Sequence, residues 1–490
     1  MEYRITVLPQ KKSITVPAGA NLLKALREAG LAPDAPCGGN GKCGKCNVTI
    51  DRQEILSCQY AVESDITVQL PKKSSASILT TGTTGVVNAD PLREGFLIAI
   101  DIGTTTVVCF LLSSEGTELA VESMLNPQAP FGADVISRIQ QALNGEMEAL
   151  TKTIRAGVSQ LIGNCCEKAG ISESEIGVVS IVGNPCMQQL FLGILPHNLA
   201  GVPFAPVLTT AEVLEAADYL PECTNACLLT IPDISGYVGA DTVGCVLASE
   251  MYKSKETILL VDIGTNGEMV LIHEGKMAAC STAAGPALEG ANIRFGMRGS
   301  EGAIDHVWEE SGSLQYSVIG GGEPIGICGS GIIDAIAVLL NQKKLNKRGR
   351  IQSAEEVDGQ RVLYLSENVY LSQDDIRQVQ MAKGAIAAGI LLMCSYFDIT
   401  PDEIDQVLLA GAFGSFLNPE NACHMELLPR SLQGKITACG NLAGAGAKLT
   451  AMNKKQFLLT QELLERIRFI ELAQMPDFQK TFAKCMAFSE

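Results

Sequence analysis

Four cysteines crowd one glycine-rich stretch near the start of the chain. Cys37, Cys43 and Cys46 stand in Cys-Gly-Gly-Asn-Gly-Lys-Cys-Gly-Lys-Cys, and Cys58 follows, a C-x5-C-x2-C-x11-C spacing. Four thiolates are the ligand count of an iron–sulfur cluster, and glycines between them let backbone N–H groups reach the sulfurs and temper their charge. Tetrahedral zinc sites usually come as two separated C-x2-C pairs, whereas three close cysteines plus a distant one follow the plant-type [2Fe–2S] arrangement, here with x5 in place of x4. Zinc and free thiols stay open as alternatives. The same glycines spell a dinucleotide-binding pattern from Gly39 to Gly44 and nearly a P-loop. Both need a preceding strand and a following helix, and the P-loop needs Ser or Thr where Cys46 stands.

A second chemistry rests on two carboxylates. Asp101 closes the apolar run Leu97-Ile-Ala-Ile and precedes Ile102-Gly103-Thr104-Thr105-Thr106; Asp262 closes Ile258-Leu-Leu-Val and precedes Ile263-Gly264-Thr265-Asn266-Gly267. A second apolar run follows each, so both read as strand, tight turn and antiparallel strand. A carboxylate at a strand end can hold Mg²⁺ through water, while Gly and Thr N–H groups and hydroxyls take phosphate oxygens. One Asp-Ile-Gly-Thr is compatible with an ordinary strand-turn. Two, 161 residues apart and facing each other, would grip a triphosphate from both sides.

These groups need elements to place them. Residues 3–8 and 13–17 read as strands, Asn21 to Ala29 as a short helix stopped by Gly30, and Asn47–Ile50 with Ile55–Ser57 as a hairpin between Cys46 and Cys58. Lys72 to Glu94, rich in Ser, Thr and Gly, reads as a linker. Leu125-Asn126-Pro127-Gln128 to Arg138-Ile139 leads into helices, and Val178 to Leu192, through Gly183-Asn184-Pro185, reads as strand, turn and helix. Asp241 falls on a glycine-rich loop, Gly236 to Gly244, and Glu289 on Gly285-Pro-Ala-Leu-Glu-Gly290. Ile325-Gly-Ile-Cys-Gly329-Ser330-Gly331 reads as a loop at a helix N-terminus, suited to phosphate or ribose. Val407 to Ala410 reads as a strand running into the loop Gly411-Ala412-Phe413-Gly414, and Gln456 to Glu471 as an amphipathic helix.

Composition bounds the rest. A chain of 490 residues, 47% hydrophobic and 5% aromatic, suits two to four domains of Ala/Gly/Val/Ile/Leu-rich α/β packing. The net charge of −17 argues against nucleic acid or an anionic membrane as partner. Residues 1–95 carry 11 Lys and Arg against 9 Asp and Glu, a net of +2, which marks a separate module. The start lacks the apolar core of a signal peptide, and Ala385 to Phe397 is short for a membrane span and reads as a buried helix. Seventeen cysteines without export imply a reducing cytosol, so a cytoplasmic protein. None of the four histidines has metal-ligand spacing to another, and the cysteines outside the cluster stretch read as buried thiols.

The two Asp-Ile-Gly-Thr hairpins and Ala410-Gly-Ala-Phe-Gly414 resemble the phosphate and adenosine motifs of the sugar kinase, heat-shock ATPase and actin superfamily. Taken in order with the cysteine stretch, Asn-Pro-Gln, Val-Gly-Asn, Gly-Ala-Asp, Gly-Pro-Ala-x-Glu-Gly and Gly-Ile-Cys-Gly-Ser-Gly, the chain resembles the reductive activators of corrinoid proteins. The resemblance implies an α/β protein: an N-terminal β-grasp ferredoxin-like domain over 1–71, a flexible linker over 72–95 and a two-lobed actin-like (ribonuclease H-like) ATPase domain over 96–490, with halves about 96–250 and 251–490. Some members carry a further small domain between the modules, where this chain has only the linker. It implies ATP, Mg²⁺ and a [2Fe–2S] cluster as cofactors, a corrinoid protein of a methyltransferase system and a low-potential electron donor as partners, and a homodimer as a candidate assembly. Cys37, Cys43, Cys46 and Cys58 would ligate the cluster. Asp101 and Asp262 would organise Mg²⁺ and the attacking water, with Asp241 or Glu289 as base. Gly103, Thr104, Thr105, Gly264, Thr265 and Asn266 would bind phosphates; Gly329, Ser330, Gly411, Ala412, Phe413 and Gly414 would hold ribose and adenine. An activator of a radical dehydratase or another metalloenzyme, a small-molecule kinase of the same superfamily and a plain electron carrier are the competing readings.

Overall fold

The computed structural model describes residues 2–33, 35, 38–41, 46–71, 88–352 and 355–488, with the backbone alone at Ala412. Cys37, Cys43 and most of the linker segment, residues 72–87, therefore lie outside the described residues. The chain forms two compact units, one built mainly from the N-terminal residues with Ala89–Leu208 and Glu212–Thr230, the other mainly from Ile231 onward.

The first unit opens with a five-stranded sheet in the order Lys12–Pro17, Glu2–Leu8, Ile66–Gln69, Asn47–Ile50, Gln53–Leu56. Its first and last central strands run parallel, Ile5 opposite Ile66 and Val7 opposite Val68. The helix Leu22–Glu28 crosses between them, capped by the Asn21 side chain on the Lys24 N–H. Leu22, Leu26, Ile5, Val7, Val62 and Val68 are fully buried in the resulting core, each such aliphatic side chain contributing about 1.5–3 kcal/mol over its exposed state. This is the β-grasp ferredoxin-like arrangement expected from the sequence.

The rest of the first unit is organised on a six-stranded sheet in the order Glu118–Leu125, Thr106–Leu112, Phe96–Ile102, Ile176–Gly183, Cys227–Thr230, Glu212–Glu215. The second unit repeats the pattern with Lys276–Thr282, Gly267–His273, Ile258–Ile263, Gln406–Ala410 and Ile436–Gly440, extended at the first edge by Ile467–Phe469. In both sheets the Asp-bearing strand is central. On one side it pairs antiparallel with the strand after its turn, and on the other it pairs parallel with a later strand. A strand covered on both faces must be apolar at every position, which is why Leu97, Ile98, Ala99 and Ile100 are all fully buried and only Asp101 breaks the run.

Three local expectations change. Asp241 lies in the first turn of the helix Ala240–Ser249 rather than on a loop; extended Gly239 opens the turn and Asp233 Oδ1 accepts the Ala240 N–H at 3.2 Å. Gly411 to Gly414 open a short helix, Gly411–Phe416, because small residues let the turn close on Leu409. The last amphipathic helix stops at Arg466, since Ile467–Phe469 pairs with Met277–Ala279 on the sheet edge. The helix Gln373–Tyr396 is long and apolar enough to cross a membrane by length and composition, but 78% of its apolar window is packed inside the second unit. Its Lys383 is fully buried, donating from Nζ to the carbonyls of Cys485 at 2.7 Å and Ala487 at 2.5 Å, which ties the C-terminal helix Phe478–Cys485 to it.

Candidate functional site

The cluster stretch is shaped by glycines and by its neighbours. Gly38, Gly39 and Gly41 all take positive φ, at +66°, +93° and +71°, a backbone path that side-chain-bearing residues resist. A Cβ on Gly39 would lie 3.7 Å from Cys58 Cβ and 3.1 Å from Leu23, so the loop passes close over the thiol-bearing turn. Cys46 precedes the hairpin and Cys58 follows it on the turn Ser57–Gln59. Ser57 fastens the two together, its N–H and Oγ both donating to the Cys46 carbonyl at 3.0 and 2.8 Å, while Asn21 Nδ2 donates to the Cys58 carbonyl at 2.8 Å. Both thiols are free of disulfides. A glycine loop close over Cys58, with the backbones of Cys46 and Cys58 tied through Ser57 and Asn21, fits a thiolate-held cluster.

The first phosphate hairpin has its carbonyls turned inward. Asn126 Nδ2 donates to the Gly103 carbonyl at 2.8 Å, Arg138 Nη2 to the Thr104 carbonyl at 2.6 Å, and the Asn126 N–H to the Thr105 carbonyl at 2.8 Å. Because a peptide is planar and trans, the N–H groups of Thr104, Thr105 and Thr106 face the opposite side, the orientation an anion needs. Asn184 Nδ2 donates to Thr104 Oγ1 at 2.9 Å and leaves that hydroxyl its own proton to give. Asp101 stands at the strand end beside this turn, opposite Val108.

The second hairpin gathers more acid. Asp262 pairs across the ladder with Glu268, and Glu289 accepts from Thr265 Oγ1 at 3.3 Å. A Cβ on Gly264 would lie 3.3 Å from Glu289 Oε1, and one on Gly411 would collide with Asp262 Oδ1, so glycine is needed for the close approach at φ +79°. Gly264 N–H closes the turn on the Asn266 carbonyl at 2.8 Å. Loss of water raises the Asp241 carboxyl to about 6, against the hydrogen bonds from Thr242. Glu268 is held well above the carboxylate range by burial first, then by the charges of Asp241 and Asp262. Sequence reasoning missed Glu268; its signal is an acid heading the apolar run Met269 to Ile272, at the ladder position where the first hairpin has Val108. It also missed Arg138 as the support of Thr104.

The remaining nucleotide residues fall in the second unit. Gly329 opens the helix Gly329–Asn341 against the Leu288 carbonyl and the Phe413 ring, with no room for a Cβ. The Ser330 hydroxyl is spent on the Asp305 carbonyl at 2.8 Å. His306, given no role by its spacing, donates from Nδ1 to buried Asp334 at 3.0 Å beside a groove of about 780 Å³ lined by Ser415, Phe416 and Asn418. Among the described residues no group of three His, Cys, Asp or Glu side chains is arranged to hold a metal ion. The described thiols are buried except Cys58 and Cys439, and burial pushes Cys166, Cys186 and Cys223 up to about 12.

Three family models match along the chain. Residues 5–69 match the model of the 2Fe-2S iron-sulfur cluster binding domain, 96–254 that of the RACo middle region, and 256–490 that of the C-terminal domain of RACo, the ASKHA domain. The corrinoid activation enzyme RamQ of Eubacterium limosum is 30% identical, with 94% of this chain aligned to 95% of that one. The [Co(II) methylated amine-specific corrinoid protein] reductase of Methanosarcina barkeri is 25% identical over 76% of this chain and 72% of its own. Among solved structures, a reductive activator for a corrinoid, iron-sulfur protein superposes with a TM-score of 0.72 at 27% identity, covering 99% of this chain and 98% of that one.

Proposed function

Because the chain belongs to the family of reductive activators of corrinoid proteins, we propose that it uses ATP to return the Co(II) corrinoid of a methyltransferase system to Co(I). The observation that carries this reading is the union, in one chain, of a thiol cradle on a ferredoxin fold with two copies of one phosphate hairpin. A [2Fe–2S] cluster, when bound, supplies one electron at low potential. Cys46 and Cys58, whose backbone carbonyls are fastened by Ser57 and Asn21, would hold it together with Cys37 and Cys43. Reduction of Co(II) to Co(I) takes one electron, so a low-potential donor would have to reload the chain after each turnover.

With the carbonyls of Gly103 to Thr105 held inward, the N–H groups of this turn bind phosphates from its open side, as do those of Thr265 and Asn266 in the second turn, which the Gly264 N–H closes on the Asn266 carbonyl. Asp101 and Asp262, carboxylates at strand ends beside the two turns, would hold Mg²⁺ through water. Glu289, against Thr265, or Asp241, raised toward neutrality, takes the proton of the attacking water. Gly411, Ala412, Phe413, Gly414 and Gly329 offer adenine and ribose a surface of backbone and ring, and Ser330 contributes through its backbone. Shifting a two-state equilibrium from 1:99 to 99:1 takes about 5.5 kcal/mol, or roughly 240 mV for one electron, a step that nucleotide-driven change in the partner's affinity can supply. We place the protein in the cytoplasm, with a homodimer as a candidate assembly, and organise it as a ferredoxin domain over 1–71, a linker over 72–95 and an ATPase domain over 96–490.

The test is anaerobic mixing of pre-reduced protein with a Co(II) corrinoid protein from the same source, with and without MgATP, while Co(I) absorbance is followed. Growth that requires ATP is the expected result. Intact cluster and ATP hydrolysis without Co(I) would remove the corrinoid as acceptor.

A further inference from the structure

One short helix in the first unit, Val135–Gln141, touches both the phosphate hairpin and the cluster loop. Asp134 caps it, Oδ1 accepting the Ser137 N–H at 2.7 Å. Arg138 and Gln141 lie three residues apart and so share a face. Arg138 is fully buried and held by three protein oxygens: the Thr104 carbonyl at 2.6 Å, the Gly132 carbonyl at 3.0 Å through Nε, and Gln128 Oε1 at 3.3 Å. Gln141 Nε2 donates to the Gly38 carbonyl at 3.0 Å, on the residue after Cys37 in sequence.

The same surface is reinforced beside that bond. A Cβ on Gly38 would lie 2.9 Å from Gln141 Nε2 and 3.2 Å from the Phe131 carbonyl, so the loop seats directly on this segment. Arg27, on the helix Leu22–Glu28, donates to the Pro130 carbonyl and lies 5.1 Å over the Phe131 ring. The Lys24–Glu146 pair at 3.6 Å is too exposed to add much. Just past Gln141 the helix passes through a π-turn, Ala142–Glu146, with Gly145 at φ +98°, before the long helix Met147–Ala169 begins. A π-turn with a glycine off helical geometry lets the short segment shift without carrying the 23-residue helix along.

We propose that Arg138 and Gln141 are positioning residues that couple the two sites: Arg138 follows the Thr104 peptide, and Gln141 passes that position to the Gly38–Gly39 peptide of the cluster loop. Fixing the Gly38 carbonyl fixes the Gly39 N–H on the opposite side of the same plane. The direction of an N–H group near cluster sulfurs is one of the levers on a cluster's reduction potential. Phosphate bound at the first hairpin therefore reaches the cluster's electronics through one turn of helix, Arg138 to Gln141. The coupling rests on the reading of function above, because it needs both a nucleotide and a cluster.

The experiment is a redox titration of reconstituted holoprotein with and without a non-hydrolysable MgATP analogue. It is read by the electron paramagnetic resonance of the reduced protein and by hydrogen exchange of the 38–41 backbone, for the natural protein and for Gln141→Leu. In the natural protein the analogue shifts both the midpoint potential and the exchange of the loop. Gln141→Leu binds the analogue within twofold of the natural affinity but loses both shifts. Arg138→Lys, which keeps the charge and loses the fork, loses them too. A natural protein whose potential and loop ignore the analogue overturns the coupling. So does a Gln141→Leu protein that keeps the shifts, or one that loses them only in step with a tenfold loss of nucleotide affinity. Co(I) growth measured in parallel separates the two conclusions: its absence with the shifts intact counts against the corrinoid reading alone, and its presence without them counts against the coupling alone.

Discussion

Replacing Gly411 by alanine tests the nucleotide site through a single methyl group. Gly411 holds φ +79°, and a Cβ there would approach Asp262 Oδ1 closer than the 3.0 Å that real Cβ atoms essentially never pass. The substitution has two separable effects. Forcing a non-glycine residue into the left-handed region costs about 1–2 kcal/mol of stability. The collision also pushes the Asp262 carboxylate off the place where we put Mg²⁺ and water, and a misplacement of about 1 Å at a reacting centre costs on the order of 100-fold in rate. Gly275→Ala isolates the first effect, because Gly275 has φ +76° and nothing within 4 Å of its would-be Cβ. Both variants should melt a few degrees below the natural protein with the same cluster absorbance. Only Gly411→Ala should lose ATP turnover, by about 100-fold, in a steady-state phosphate-release assay. Equal turnover in the two variants would refute the placement of Asp262 at the reacting phosphate.

Three further outcomes are expected. Cys46→Ala should abolish the cluster's visible absorbance while ATP turnover without acceptor stays within twofold, because the thiol belongs to the ferredoxin core and not to either hairpin. Arg138→Met leaves the Thr104 and Gly132 carbonyls without their buried donor and should cost about 3 kcal/mol or more in urea unfolding; a loss under about 1 kcal/mol would show that water replaces the guanidinium freely. Burial lowers the Lys383 ammonium to about 8, from 10.5 in the unfolded chain. Between those values the unfolded chain binds the extra proton, so this group adds stability as pH rises from about 8 to 10.5, by up to about 3 kcal/mol. Lys383→Met should erase that rise when the two proteins' melting curves are subtracted.

What could be seen in the sequence was what the chain encodes locally. The run Cys37 to Cys46, the strand that ends in Asp101 and its echo at Asp262 each lie within about ten residues, and period and turn chemistry make them readable. The parallel neighbours that complete each sheet come from far along the chain, Ile176–Gly183 beside Phe96–Ile102 and Gln406–Ala410 beside Ile258–Ile263, and no local pattern announces them. Arg138 was visible only as a charge in an otherwise amphipathic helix, because the oxygens that fix it come from residues 104, 128 and 132. Asp241 was misplaced for a different reason: Gly236, Gly239 and Gly244 look like a loop, yet extended Gly239 opens a helix and Gly244 lets it pack closely, lying against Gly446 of a neighbouring helix. Glu268 stood in plain view between Gly267 and the apolar run that starts at Met269, and only its partner across the ladder gives it meaning.

The burial of nearly all described thiols makes the chain its own redox indicator. A thiol-directed alkylating reagent needs both access and thiolate, and the raised, enclosed cysteines offer neither. Of the described cysteines only Cys58 and Cys439 meet solvent, so a mass spectrum taken after brief alkylation should distinguish a loaded cradle, which protects Cys58, from an emptied one, with Cys439 as the internal standard in the same molecule.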